Sequence, residues 1–202
     1  MAVPEDRYLS IEAPSQGLYK ELGSRFIALA FPVESEEQIK QTVDGIRREY
    51  HDARHHCFAW RLGLDGSRFR ANDDGEPSSS AGRPILGQID SLGLSDVLVV
   101  VVRYFGGIKL GVPGLIRAYK TAARDALDAA RIVTKVAARA CRIEFAYDLT
   151  GDVMRVLKDM DLRPGGQGWG EACLVEVQVP LSQIDVLGQR LSQIYSCKFE
   201  IL

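Results

Sequence analysis

Between residues 141 and 201 the hydrophobic positions change period several times. Cys141, Ile143, Phe145 and Tyr147 alternate with Arg142, Glu144 and Ala146, the period-two pattern of a half-buried strand. Leu149, Val153, Val156, Leu157 and Met160 then fall on one face of a helix. The polar, glycine-rich stretch 163–170 predicts a short, interrupted strand and a turn. Cys173, Val175, Val177 and Val179 alternate again up to Pro180. Ile184, Leu187, Leu191 and Ile194 form a second helical stripe, and Cys197, Phe199 and Ile201 a last strand. The order β-α-β-β-α-β predicts a ferredoxin-like sandwich.

The preceding residues follow a different plan. Residues 18–31 read as extended chain with Phe26, Ala28 and Ala30 on one side and Ile27, Leu29 and Phe31 on the other, so the strand is expected to be central. Ser35-Glu-Glu-Gln38 resembles a capping box and precedes a helical stripe of Ile39, Val43, Ile46 and Tyr50. Residues 57–64 and 67–71 predict a hairpin around Asp65-Gly66. A polar loop at 73–80 and a short helix at 84–92 follow. Residues 97–102 form an unbroken apolar run, the mark of a strand buried on both faces. The alanine-rich stretch 115–130 predicts a helix. No internal repeat relates the two halves, and the border falls near 132–138. The chain is therefore expected to be an α+β protein of two domains, 1–135 and 136–202.

Composition narrows the picture. Of 202 residues, 46% are apolar and 26% charged, which excludes a disordered tail, a collagen-like chain and a disulfide scaffold. The net charge is −2. Residues 1–135 hold 18 Lys+Arg and 18 Asp+Glu, and the remainder 7 and 9, so any polyanion contact must be a local patch. The four cysteines are far apart without a CxxC pair, and the start lacks the pattern of a secretory signal. The longest apolar run has six residues, far below the roughly 20 that cross a bilayer. The expectation is a reduced, cytosolic protein with buried structural thiols and no membrane partner.

Three polar segments can carry chemistry. His51-Asp-Ala-Arg-His-His-Cys57 holds every histidine of the chain, but strand residues begin almost at once and no second cluster supplies metal ligands. Adjacent strand residues face opposite ways, so His56 is badly placed to activate Cys57. In Asn72-Asp-Asp-Gly-Glu-Pro77 and Ala81-Gly-Arg-Pro84 the carboxylates can orient arginines or bind Mg²⁺. Orientation is preferred, because no phosphate-binding lysine motif accompanies them. Arg103-Tyr-Phe-Gly-Gly-Ile-Lys-Leu-Gly-Val-Pro-Gly114 has four glycines in nine residues before the alanine-rich helix. Strand, glycine loop and helix N-terminus suit an anion, yet tight packing explains the glycines equally well. Neither a Walker loop nor GxGxxG is present, and no cofactor or metal is implied.

Four of these strings, Asp52-Ala-Arg-His55, Asp73-Asp-Gly-Glu-Pro77, Ala81-Gly-Arg-Pro84 and Arg103-Tyr-Phe-Gly-Gly-Ile-Lys-Leu-Gly111, resemble the motifs of the YigZ/IMPACT family in the same order. The glycine loop is the most diagnostic. The tail is similar to the ferredoxin-like domain of bacterial YigZ-type members. The resemblance implies a ribosomal-protein-like two-layer α/β first domain with a left-handed βαβ crossover, against the usual hand. It implies a second domain like a terminal domain of elongation factor G. Eukaryotic relatives regulate translation by competing for the activator of an eIF-two-alpha kinase, through extra regions that this chain lacks. His56, Pro113 and Ser78-Ser-Ser80 depart from the usual pattern; Pro113 suits a first helical turn and stiffens the loop.

The preferred function is a cytosolic, non-catalytic, translation-associated protein that binds RNA, the ribosome or a translation factor through a basic groove. The expected ligand residues are Arg54, His55, Arg83, Arg103, Tyr104, Gly106, Gly107, Lys109, Gly111 and Arg117, with Asp52, Asp74 and Glu76 orienting the arginines. Tyr104 and Phe105 alone offer stacking. The alternatives are an enzyme acting on a small phosphorylated or carboxylated metabolite in the same cleft, and a protein–protein adaptor. The sequence sets no oligomeric state.

Overall fold

The computed structural model describes residues 6–169 and 173–202. Its chain divides into two compact units, Tyr8–Lys135 and Val136–Leu202, the latter together with Asp6 and Arg7. A two-stranded ribbon of β1 (Arg7–Ile11) and β7 (Ile132–Val136) lies where the chain passes from one unit to the other.

The first unit is built on a five-stranded antiparallel sheet. Its strands are β2 (Ser15–Glu21), β3 (Ser24–Pro32), β4 (His55–Leu62), β5 (Arg68–Asn72) and β6 (Val97–Tyr104), in the spatial order β2-β3-β6-β4-β5. The segment 18–31, read as one strand, is a hairpin. It turns at Leu22-Gly23, both with positive φ (47° and 78°), the geometry of a two-residue primed turn. β3 is internal, flanked by β2 and β6, as its two apolar faces require.

Both faces of the central strands are apolar, so both need cover. On one side Val97, Val99 and Val101 of β6 meet Phe26, Ala28 and Ala30 of β3 under α2 (Gly82–Ser91) and α3 (Gly111–Asp128). On the other, Leu98, Val100 and Val102 pack with Phe58 and Trp60 against Ile39, Val43 and Ile46 of α1 (Glu36–Glu49). The fold class is α+β as expected, and α1 adds a layer beyond the two that the resemblance implies. β3 and β4 run parallel on either side of β6, with α1 making the crossover between them. Ser35 caps α1, its Oγ accepting from Gln38 N–H at 3.2 Å, while Gln38 Oε1 reaches back to Glu34 N–H at 2.9 Å.

α3 begins at Gly111, four residues before the alanine-rich stretch. Pro113 falls in its first turn, where no N–H is needed. Small residues bring the helix close to the sheet. A Cβ on Gly17 of β2 would lie 2.4 Å from the Ala126 nitrogen.

The second unit orders β11 (Lys198–Ile201), β8 (Ala138–Phe145), β10 (Cys173–Pro180) and β9 (Pro164–Trp169) as β11-β8-β10-β9. That is the 4-1-3-2 arrangement of a ferredoxin-like sandwich. Cys141, Ile143, Phe145, Val175, Val177 and Val179 form its core with Val153 and Leu157 of α4 (Thr150–Asp159) and Leu187 and Leu191 of α5 (Ile184–Leu191). On the other face of its strands Arg142 pairs with Glu176 and Lys198 with Glu144. The turn predicted at the end of 163–170 reaches Gly170, outside the described residues. Among the described residues no helix is long and apolar enough to cross a membrane.

Candidate functional site

The carboxyl end of β6 carries Arg103 into the apolar layer beneath α3. A guanidinium there needs a counter-charge, and Glu76, from the loop after β5, supplies it: Nη1 donates to Oε1 at 2.6 Å. Tyr119, fully buried on α3, donates its hydroxyl to the same oxygen at 2.8 Å. Cys57 of β4 completes the cluster, its thiol 3.2 Å from the Tyr119 hydroxyl and 3.0 Å from the Asp73 carbonyl. Burial pushes the Cys57 thiol and the Tyr119 phenol far above their ordinary values, so both stay protonated. The Arg103 guanidinium lies 5.5 Å from the Phe26 ring and 5.6 Å from the Phe105 ring. Its Nε–H is buried without an acceptor.

Arg103 and Glu76 line a hollow of about 430 Å³. Arg54 and Lys109 line it as well, both exposed and, among the described residues, without an ion-pair partner. Three cationic side chains thus face one carboxylate. Phe105, Leu110 and Val112 give the hollow an apolar side, and Gly111 opens α3 beside it. That helix start has no side-chain cap and no acidic residue in its first turn, leaving free N–H groups. His55 contributes its ring, with Nδ1 2.9 Å from the Asp74 carbonyl oxygen. A carbonyl only accepts, so Nδ1 is the donor in this contact.

The structure therefore brings together Arg54, His55, Glu76, Arg103, Lys109 and Gly111 from three separate motifs. It does not bring the other expected residues there. Tyr104 follows Arg103 on the strand and so faces the opposite side of the sheet, packing with the α1 cluster. Its hydroxyl donates to Asp52 at 2.7 Å, which holds that carboxyl below its usual range. Asp52 thus orients a tyrosine, not an arginine. Asp74 binds Arg47 of α1 at 2.7 Å and the His56 N–H at 2.7 Å, so it orients an arginine outside the motifs. Arg83 is exposed on the first turn of α2 and is not among the residues that line the hollow. Arg117 is paired with Glu21.

The glycines serve close packing and backbone turning. Gly106 is a packing residue: a Cβ there would lie 2.0 Å from the Gly23 carbonyl carbon, across the β2–β3 turn. Gly107 and Gly111 take positive φ, 91° and 68°, which turns the loop into the helix. Tyr119 escaped the sequence reading, and Asp73, one of the carboxylates expected to orient arginines, binds backbone N–H groups instead. Tyr119 looks like an ordinary core aromatic in an alanine-rich helix. Asp73 accepts from Ser79, Ala81 and Gly82 N–H groups and shapes the loop that presents Glu76. Among the described residues no three His, Cys, Asp or Glu side chains gather as a metal site.

Comparison with known proteins extends these motifs. The profile of the Impact N-terminal domain matches residues 22–127. The IMPACT family member YigZ of Escherichia coli (strain K12) is 30% identical over 181 residues, 89% of either chain. The IMPACT family member YvyE of Bacillus subtilis (strain 168) is 30% identical over 178 residues, 88% of this chain and 82% of that one. A crystal structure described as that of a hypothetical protein is similar over 98% of both chains, with a TM-score of 0.75 and 29% identity.

Proposed function

The chain belongs to the YigZ/IMPACT family, and from that premise we propose that it is a non-catalytic, cytosolic binding protein of the translation machinery whose hollow receives phosphate groups of RNA. The observation that carries this reading is the charge of the hollow. Arg54, Arg103 and Lys109 face Glu76 alone, beside the free N–H groups of α3. In a chain of net charge −2 such a patch is local, and it is built from the side chains that contact phosphate. Three of the groups that could act as nucleophile or base are committed elsewhere. Cys57 and Tyr119 are buried and protonated, and Glu76 is bonded to Arg103 and Tyr119.

The test is binding to ribosomes and to unstructured RNA at low salt. Arg54→Glu with Lys109→Glu should abolish it, whereas Arg83→Glu with Arg117→Glu, an equal change in net charge, should not. Arg103 is unsuited to charge reversal, because its ion pair also holds the fold together. Equal losses from the two double variants would refute the reading.

A second reading is an enzyme or carrier acting on a small phosphorylated or carboxylated metabolite. Two observations favour it: a volume within the range of small-ligand pockets, and the imidazole of His55 on its lining, fixed through Nδ1 on the Asp74 carbonyl. A thermal-shift screen separates the two. A specific small anion that raises the melting temperature, without RNA binding, selects the second.

A further inference from the structure

Resting on the reading of the hollow as a phosphate site, we propose that its occupant is a single nucleotide unit, a phosphate together with its base, and not a bare phosphate. The hollow has two chemically distinct parts. One is rich in donors: Lys109, the uncapped start of α3 at Gly111, and Arg103. The Arg103 side chain is 92% buried and spends Nη1 on Glu76, while its Nε–H lacks an acceptor.

The other part is apolar and aromatic. Phe105 keeps half of its surface exposed although it neighbours the buried end of β6, and Leu110 and Val112 adjoin it. A bare phosphate would leave these side chains unused. A base can lie against the Phe105 ring, and stacking of this kind is indifferent to base identity. Phe105 is itself tied to the phosphate end, its ring 5.6 Å from the Arg103 guanidinium. His55 adds its ring to the lining, held by Nδ1 on the Asp74 carbonyl. A volume of about 430 Å³ suits one such unit.

The experiment is calorimetric titration of the full chain at low salt with three probes: adenosine 5′-monophosphate, inorganic phosphate and adenosine. The nucleotide should bind at least about tenfold more tightly than either fragment, the scale that stacking of one base supplies. Phe105→Ala should erase the advantage over phosphate; Phe105→Trp should preserve it and report occupancy by fluorescence quenching. Phe105 is exposed, so both variants should melt like the parent. A nucleotide that binds no better than phosphate, or an advantage that survives Phe105→Ala, overturns the proposal. If that happens while RNA binding still disappears with Arg54→Glu and Lys109→Glu, the nucleotide assignment falls alone. If RNA binding is also insensitive to those changes, the phosphate reading falls with it.

Discussion

Arg103 and Glu76, from the end of one strand and a loop 27 residues earlier, form an ion pair of 2.6 Å with side chains only 8% and 3% exposed. Removing one partner leaves a buried charge without compensation, which costs about 3–5 kcal/mol. Glu76→Ala and Arg103→Ala should each lose that much in urea unfolding at neutral pH. Replacing both, with Arg103→Met and Glu76→Leu, should recover most of it, since an apolar pair avoids the desolvation. Single variants as stable as the parent would show that the pair is not held as described.

Two glycine-to-alanine changes should move stability in opposite directions. At Gly106 the new methyl would meet the Gly23 backbone at 2.0 Å, and overpacking of this kind costs about 1–3 kcal/mol. At Gly45, inside α1 with nothing within 4 Å, alanine should gain about 0.5–1 kcal/mol through helix propensity. Denaturant midpoints of the two variants check both signs.

Ser79 occupies a conformation that favours glycine, with φ of 62°. Its N–H is fixed by Asp73 Oδ2 at 2.7 Å, which holds the loop in that shape. A side chain in this region is strained by about 1 kcal/mol. Ser79→Gly should therefore raise stability by about 0.5–1 kcal/mol, and a lower melting temperature would contradict the assignment.

Cys57 has a thiol whose folded value is raised by burial above the ordinary value of about 8.5. Between the unfolded and folded values the native state binds the extra proton, so stability is complete below about pH 8.5 and falls as pH rises beyond it. Cys57→Ala should flatten that alkaline decline. In the folded protein at pH 8 iodoacetamide should leave Cys57 unmodified and label it after unfolding. Modification at the rate of a free peptide thiol, without loss of structure, would contradict the geometry.

Periodicity made most of the architecture readable, because α1, β6, α3 and the βαββαβ tail each bury a regular set of positions. The hairpin between β2 and β3 was not readable: its turn uses Leu22-Gly23, and leucine at positive φ carries no turn signal. β7 was hidden because its five residues sit in a stretch that reads as a connection. For the site, the motif strings located the loops but not the directions of their side chains. Arg103 and Tyr104 are neighbours in the string and lie on opposite faces of the sheet. Asp52 and Asp74 do bind partners, Tyr104 and Arg47, but neither partner is one of the motif arginines. Tyr119, 43 residues from Glu76, meets it only through the packing of α3 on the sheet.

The salt dependence of RNA binding tests the central claim most directly. If the hollow neutralises phosphates with Arg54 and Lys109, each contact releases counterions, and the slope of log affinity against log salt for single strands changes by about 0.7 per contact. Fluorescence-anisotropy titrations from low to physiological salt, on the parent and on Arg54→Ala with Lys109→Ala, should show the slope shrinking by about 1.4. Arg83→Ala with Arg117→Ala should leave it unchanged. A slope unaltered by removal of Arg54 and Lys109, with RNA still bound, would place the phosphate contacts elsewhere and contradict the account.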